Sequence, residues 1–161
     1  MAETRVKRPP TSQKLMGKNT LLFLNYGEAA TEQTPVWALF GGQRNASFSM
    51  SADEVDVSDK TSGGWGETEQ GIKSTEISIE GVSTKGNKVL AEIKAAFIAG
   101  EAVHILRWCK DGSSEINWYN ITEFSDDAPM DDAVTFSITL KGCGEPTFKE
   151  DMADPRPAPV Q

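Results

Sequence analysis

Apolar and polar side chains alternate strictly in four short stretches of this chain. In 46–51, Phe48 and Met50 oppose Ser47, Ser49 and Ser51. In 54–58, Val55 and Val57 oppose Glu54, Asp56 and Ser58. In 74–80, Ile77 and Ile79 oppose Glu76, Ser78 and Glu80. In 134–141, Val134, Phe136, Ile138 and Leu140 oppose Thr135, Ser137, Thr139 and Lys141. Period-two patterning predicts antiparallel strands with one face on a core and one in water. The wet faces are small hydroxyls and carboxylates with few bases. Thr20 to Tyr26 is almost continuously apolar and reads as a strand covered on both faces, and Val36 to Phe40 reads as a second short apolar strand. A hairpin is expected from 102–109 and 116–124 across Lys110-Asp111-Gly112-Ser113-Ser114, and the last strand is expected to end at Gly142.

One segment has helical periodicity. Asn87 to Ala99 places Val89, Leu90, Ile93 and Phe97 on one stripe, with Ser83 or Thr84 as a possible start, Asn87 as another possible cap and Gly100 at the C-terminal stop. The fold expected is mainly β, a two-sheet antiparallel β-sandwich or barrel flanked by one α-helix, with a long loop and extended termini. Three regions follow: a basic extended arm over 1–18, a β-sandwich domain over 19–149, and a proline-rich tail over 150–161 that holds Pro155, Pro157 and Pro159.

The long loop is the polar run Asp59 to Gly71, which contains Ser62-Gly63-Gly64-Trp65. A loop that holds one large aromatic beside glycines is a candidate for contact outside its own domain. We therefore read Asp59, Ser62, Gly63, Gly64 and Trp65 as a subunit-interface loop reaching a neighbouring copy.

At 161 residues the chain suits one domain with a real core. No apolar run approaches the ~18–20 residues of a membrane span, and no apolar region follows the basic N-terminus, so neither a membrane nor a secretory segment is expected. The net charge is −8. Residues 1–18 carry Arg5, Lys7, Arg8, Lys14 and Lys18 against Glu3, a net +4, which leaves −12 on the rest. A body so acidic does not grip nucleic acid, because affinity for phosphate comes from Lys and Arg.

Catalytic chemistry finds little support. The single histidine, His104, lies mid-strand between Val103 and Ile105, where a partly buried structural role is expected. No nucleophile elbow, phosphate loop or zinc-spaced His/Cys set is present. Asp126-Asp127 and Asp131-Asp132 match no defined calcium loop. Cys109 and Cys143 are too few for a disulfide framework and read as buried reduced thiols. The expectation is a non-enzyme with no catalytic residue, metal or cofactor.

Taken in order, these features resemble a known family. Val55-Asp56-Val57-Ser58-Asp59-Lys60, then Ser62-Gly63-Gly64-Trp65, then a strand ending Ile77-Ser78-Ile79-Glu80-Gly81, is similar to the major tail (tail-tube) proteins of long, non-contractile-tailed bacteriophages. The helix from Asn87 and the segment from Asp131 to Leu140, followed by Gly142 and Gly144, fit the same order, over roughly residues 17–149. The resemblance implies a structural virion protein that forms hexameric rings stacked into a tube, assembled in the host cytoplasm and retained in the virion tail. It implies as partners further copies of the chain, a tape-measure protein, and tail terminator and distal-tail proteins. In that family the inner sheets of six subunits join as a 24-stranded barrel through which DNA passes without specific binding. Candidate lumen-facing residues are then Glu54, Asp56, Glu76, Ser78 and Glu80, each opposite an apolar neighbour that needs the core. Not all can face inward, since one sheet of a sandwich faces out. A secretion-system tube protein and a monomeric β-sandwich binding module are the alternative readings.

Overall fold

The computed structural model describes residues 17–27 and 30–156. The basic arm, save Gly17 and Lys18, and the last five residues of the proline-rich tail therefore lie outside the described residues. A 3-10 turn, Gly17–Asn19, leads into seven strands: β1 Thr20–Asn25, β2 Trp37–Leu39, β3 Gln43–Asp56, β4 Thr68–Val82, β5 Val103–Cys109, β6 Ser114–Asp127 and β7 Thr135–Lys149. One helix, α1 Lys88–Ala99, separates β4 from β5.

The mainly β fold with a single helix is as the sequence predicts, but its strands do not form two separate sheets. All seven are hydrogen-bonded in one antiparallel order, β2-β1-β5-β6-β7-β4-β3. The long β6–β7 hairpin explains this. The first half of β6, Ser114 to Tyr119, pairs with β5, whereas the first part of β7, Thr135 to Lys141, pairs with β4. The hairpin thus runs from one layer into the other, and the ladder is never broken. The sheet curls enough for its two ends to meet: Gln43 of β3 hydrogen-bonds through its amide to the backbone of Leu22 in β1.

Inside the curl lies the main core. Leu22 and Leu24 of β1, Ile77 and Ile79 of β4, Val103 and Ile105 of β5, Tyr119 of β6 and Phe136, Ile138 and Leu140 of β7 pack with the buried face of α1. That face is Val89, Leu90, Ile93 and Ala96. Phe97, expected on the stripe, is half exposed, and the small Ala96 takes the buried position instead. Asn87 caps the helix by accepting from the Leu90 amide at 3.2 Å. Gly100 ends it at φ 72°, a left-handed conformation that costs glycine little.

A smaller core of Phe23, Leu106 and Trp108 sits on the other side of β1 and β5, so β1 is covered on both faces as its unbroken apolar run requires. Met152 covers this second core, and its carbonyl accepts from the Trp108 indole at 3.0 Å. The start of the expected tail is therefore packed. Beyond Gly142 the chain does not leave the sheet: β7 continues to Lys149. Gly144, Glu145 and Pro146 fall in a register irregularity opposite Asn117, between the pairs Trp118↔Cys143 and Ile116↔Thr147. Breaker residues there mark a bulge rather than an end. Cys109 is buried as expected, while Cys143 is exposed.

Candidate functional site

Two features of the sheet stand apart from the cores: a polar face across four strands, and a hairpin that projects beyond them. The face follows from register. Paired residues share a side of an antiparallel sheet, so the partners of Glu76, Ser78 and Glu80 extend their polar pattern sideways. Three rows run across β3, β4, β7 and β6: Asn45, Glu80, Ser137 and Ser125; Ser47, Ser78, Thr139 and Glu123; Ser49, Glu76, Lys141 and Asn120. Thr135 and Asp127 add a fourth pair. The charged members are the carboxylates of Glu76, Glu80, Glu123 and Asp127 and the ammonium of Lys141, which is itself bonded to Glu76. The opposite side of the same strands carries Ile77, Ile79, Phe136, Ile138 and Leu140 in the main core, so the polar side chains have no freedom to turn inward.

The four strands bearing this face have two open edges. β3 is last in the sheet order. The second half of β6, Asn120 to Asp127, pairs with β7 alone, because β5 reaches only Tyr119. Among the described residues no strand covers either edge. Unpaired ladders of this length are sites for pairing with another chain.

Past Glu76↔Lys141, β4 parts from β7 and continues paired only with β3, from Ser51↔Ser74 to Asp56↔Thr68. A cleft of about 690 Å³ opens where they diverge, lined by Met50, Thr75, Pro146 and Phe148 among others. The projecting hairpin is exposed on both faces, including Met50, Val55, Val57 and Ile72. A two-stranded ribbon of this kind is marginal alone. Glu54 and Asp56 lie on it, and not on the face of Glu76, Ser78 and Glu80. Between Ala52↔Lys73 and Glu54↔Gln70, β4 carries one residue more than β3. β3 keeps its alternation through this bulge, so Glu54 and Asp56 fall on the side of Phe48 and Met50.

The hairpin ends in the loop Val57 to Glu67, shorter than the polar run in the sequence because residues 68–71 belong to β4. The loop is built rather than open. Val57 donates to the Glu67 carbonyl at 3.0 Å, and the Ser58 hydroxyl accepts from the Glu67 amide at 2.6 Å. Asp59 accepts from the Thr61 hydroxyl and amide and from the Ser62 hydroxyl. Those bonds, the Thr61 hydroxyl first, hold its carboxyl below the usual carboxylate range. Asp56 is lowered likewise by the Ser58 amide. Trp65 donates its amide to the Ser62 carbonyl, and Gly63 and Gly64 take φ of 64° and 83°, which the tight turn requires. This arrangement holds the Trp65 side chain in water, 81% exposed. The five expected interface-loop residues are thus brought together at one tip.

Sequence reading missed Glu123, Asp127 and Asn120, whose alternation is broken by the bulge at Thr122. It also missed the cluster around His104. That ring is buried between Trp118, stacked at 4.7 Å, and Trp37, tilted at 5.2 Å. Burial pushes its pKa down, and the carboxylate of Glu32 opposes the shift.

The family model of the phage tail tube protein matches residues 14–148. No curated protein sequence matches the chain. Among solved structures, the fold is similar to a chain in the tail of an empty gene transfer agent particle, computed with C6 symmetry, at a TM-score of 0.72 and 22% identity over 84% of this chain and 99% of that one. It is similar to the SPP1 tail tube at 0.72 and 15% identity over 87% and 81%. It is also similar to a chain of the anti-feeding prophage baseplate at 0.61 and 7% identity over 89% and 97%.

Proposed function

The chain belongs to the phage tail tube protein family, and we propose that its copies close into hexameric rings that stack as the DNA conduit of a virion tail. The observation that carries this reading is the four-stranded polar face with an open edge on each side. Joining the edge of β3 in one copy to the Asn120 to Asp127 edge of β6 in the next makes a continuous wall. Six copies supply 24 strands. At ~4.8 Å between strands and a tilt of ~40°, that wall closes at about 48 Å across the backbone. Inward side chains leave roughly 35–40 Å, wide enough for a duplex.

On this reading Glu76, Ser78 and Glu80, with Ser137, Thr139, Glu123 and Asp127, line the channel. DNA carries one negative charge per ~1.7 Å of its axis, so a wall of hydroxyls and carboxylates, whose Lys141 is paired with Glu76, gives phosphates little to release counterions against. DNA slides along it without specific binding. Glu54 and Asp56 belong instead to the projecting hairpin, which reaches a neighbouring ring with Trp65 as its anchor. The role is structural and not enzymatic. Assembly takes place in the bacterial cytoplasm, with a tape-measure protein in the channel and terminator and distal-tail proteins at the ends.

Sedimentation and negative-stain microscopy of the concentrated protein test the proposal. Six-fold rings or tubes are expected. A subunit that stays monomeric at every concentration, and is absent from virions, refutes it.

A further inference from the structure

The hydrogen bonds around His104 determine which of its protonation states the fold accepts. Asn25, in the next row of β1, is oriented by its own partners: its Oδ1 accepts from the Val36 amide at 2.9 Å, so its Nδ2 is the group facing the other way. That nitrogen donates to the Thr31 carbonyl at 3.0 Å and to His104 Nδ1 at 3.1 Å. His104 Nδ1 must then be the acceptor, which makes the ring neutral with its proton on Nε2. The same amide therefore holds Thr31 and Val36, the two ends of the segment 31–36, and reads the state of the imidazole. A second tie comes from Trp118, whose indole donates to Glu32 Oε1 at 3.3 Å.

We propose that Asn25 and His104 form a protonation-sensitive latch that holds the segment 31–36 on the sheet and releases it as the pH falls. A proton on Nδ1 sets two donors against each other. Turning the Asn25 amide to accept from the imidazolium gives up the bonds to Val36 and Thr31, so either response loosens the segment. Opening also uncovers the Trp37 and Trp118 rings that enclose the imidazole.

Among the described residues the charged and titratable groups facing His104 are few. Glu32 on the segment itself favours the imidazolium, as do the faces of the two indoles. The Cys143 thiol lies one register row beyond Trp118 on β7. Burial works against the charged ring and outweighs Glu32, so the folded pKa lies below the ordinary 6.5. The sign follows: the latch is fully closed above the pKa of the opened state, and its closure weakens as the pH falls through that value towards the lowered, closed-state pKa.

The 161-residue chain has one histidine, so its imidazole gives a single NMR titration. Amide exchange of residues 31–36, corrected for intrinsic rate, gives the opening. We expect an imidazole midpoint below 6.5 and a loss of protection approaching, at most, about tenfold per pH unit, the limit for one linked proton. His104→Asn places an oxygen acceptor near Nδ1 that does not titrate, and removes the pH dependence. Asn25→Asp sets a carboxylate beside the ring and moves the midpoint above 6.5. Glu32→Gln moves it lower still. Protection that does not change with pH, or that changes equally in His104→Asn, overturns the proposal, as does an unperturbed midpoint in Asn25→Asp.

Discussion

Replacing Trp65 by alanine separates the hairpin's role in assembly from any role in the subunit's own stability. A tryptophan buries up to about 200–250 Å² when fully enclosed. With the residue 81% exposed, only about a fifth of that is covered in the subunit, or ~40–50 Å². At ~25 cal/mol per Å² this supports the fold by about 1 kcal/mol. For a domain of this size that is a fall in unfolding midpoint of roughly 2–4 °C. The exposed remainder, ~160–200 Å², is available to a neighbouring copy and carries a gross ~4–5 kcal/mol. The loop's internal hydrogen bonds mean that little ordering is left to do on contact. If half of the gross value survives as net binding, in the range of interface anchors, the critical concentration for tubes rises on the order of 30-fold. Pelleting across a concentration series measures that rise, and thermal unfolding below the assembly threshold measures the subunit. A critical concentration within twofold of the parent, or a subunit midpoint lowered by more than about 10 °C, shows that the indole serves its own domain.

Three other outcomes are expected. Gly142→Ala places a Cβ 1.8 Å from Thr75 Oγ1 where β4 and β7 part, at an expected cost of about 1–3 kcal/mol in denaturant unfolding. Among the described residues the Thr75 hydroxyl has no hydrogen-bond partner, so Thr75→Ala loses little at that oxygen and recovers much of the loss in the double variant. Asn87→Ala removes both the Leu90 cap and the bond to the Gly41 carbonyl, lowering stability by about 1 kcal/mol without affecting ring formation. Glu80→Lys leaves tubes able to form but slows DNA ejection at low salt, with the defect eased by added salt as charges are screened; ejection at the parent rate would remove Glu80 from the channel wall.

What the sequence conveyed well was local. The uninterrupted run in β1, the alternation of 74–80 and 134–141, and the helix with Asn87 and Gly100 at its ends all follow from side-chain periods of 2 and 3.6. Bulges are where that reading failed. An extra residue in β4 opposite Asp53 shifts only residues 68–71, while the unbroken alternation of β3 from Ser49, the partner of Glu76, puts Glu54 and Asp56 out of phase with Glu76, although each stretch alternates cleanly by itself. Another at Thr122 hides Glu123 and Asp127 from the polar face they share. Pro146 and the glycines near it suggested a strand end because a proline cannot donate to a ladder, yet they sit where no ladder bond is needed. The single curled sheet was hidden for a related reason: a strand that bends from one layer to another has the same composition as two strands. His104 gave no signal because its neighbours Asn25, Trp37 and Trp118 come from three other strands.

A helical reconstruction of assembled tubes, at a resolution that traces strands, tests the central claim most directly. Six copies per ring are expected, with a continuous inner wall of 24 strands, β3 of one copy beside Asn120 to Asp127 of the next, and Glu76, Ser78 and Glu80 directed at the axis. A wall with a different strand count, or one in which that polar face points outward, contradicts it.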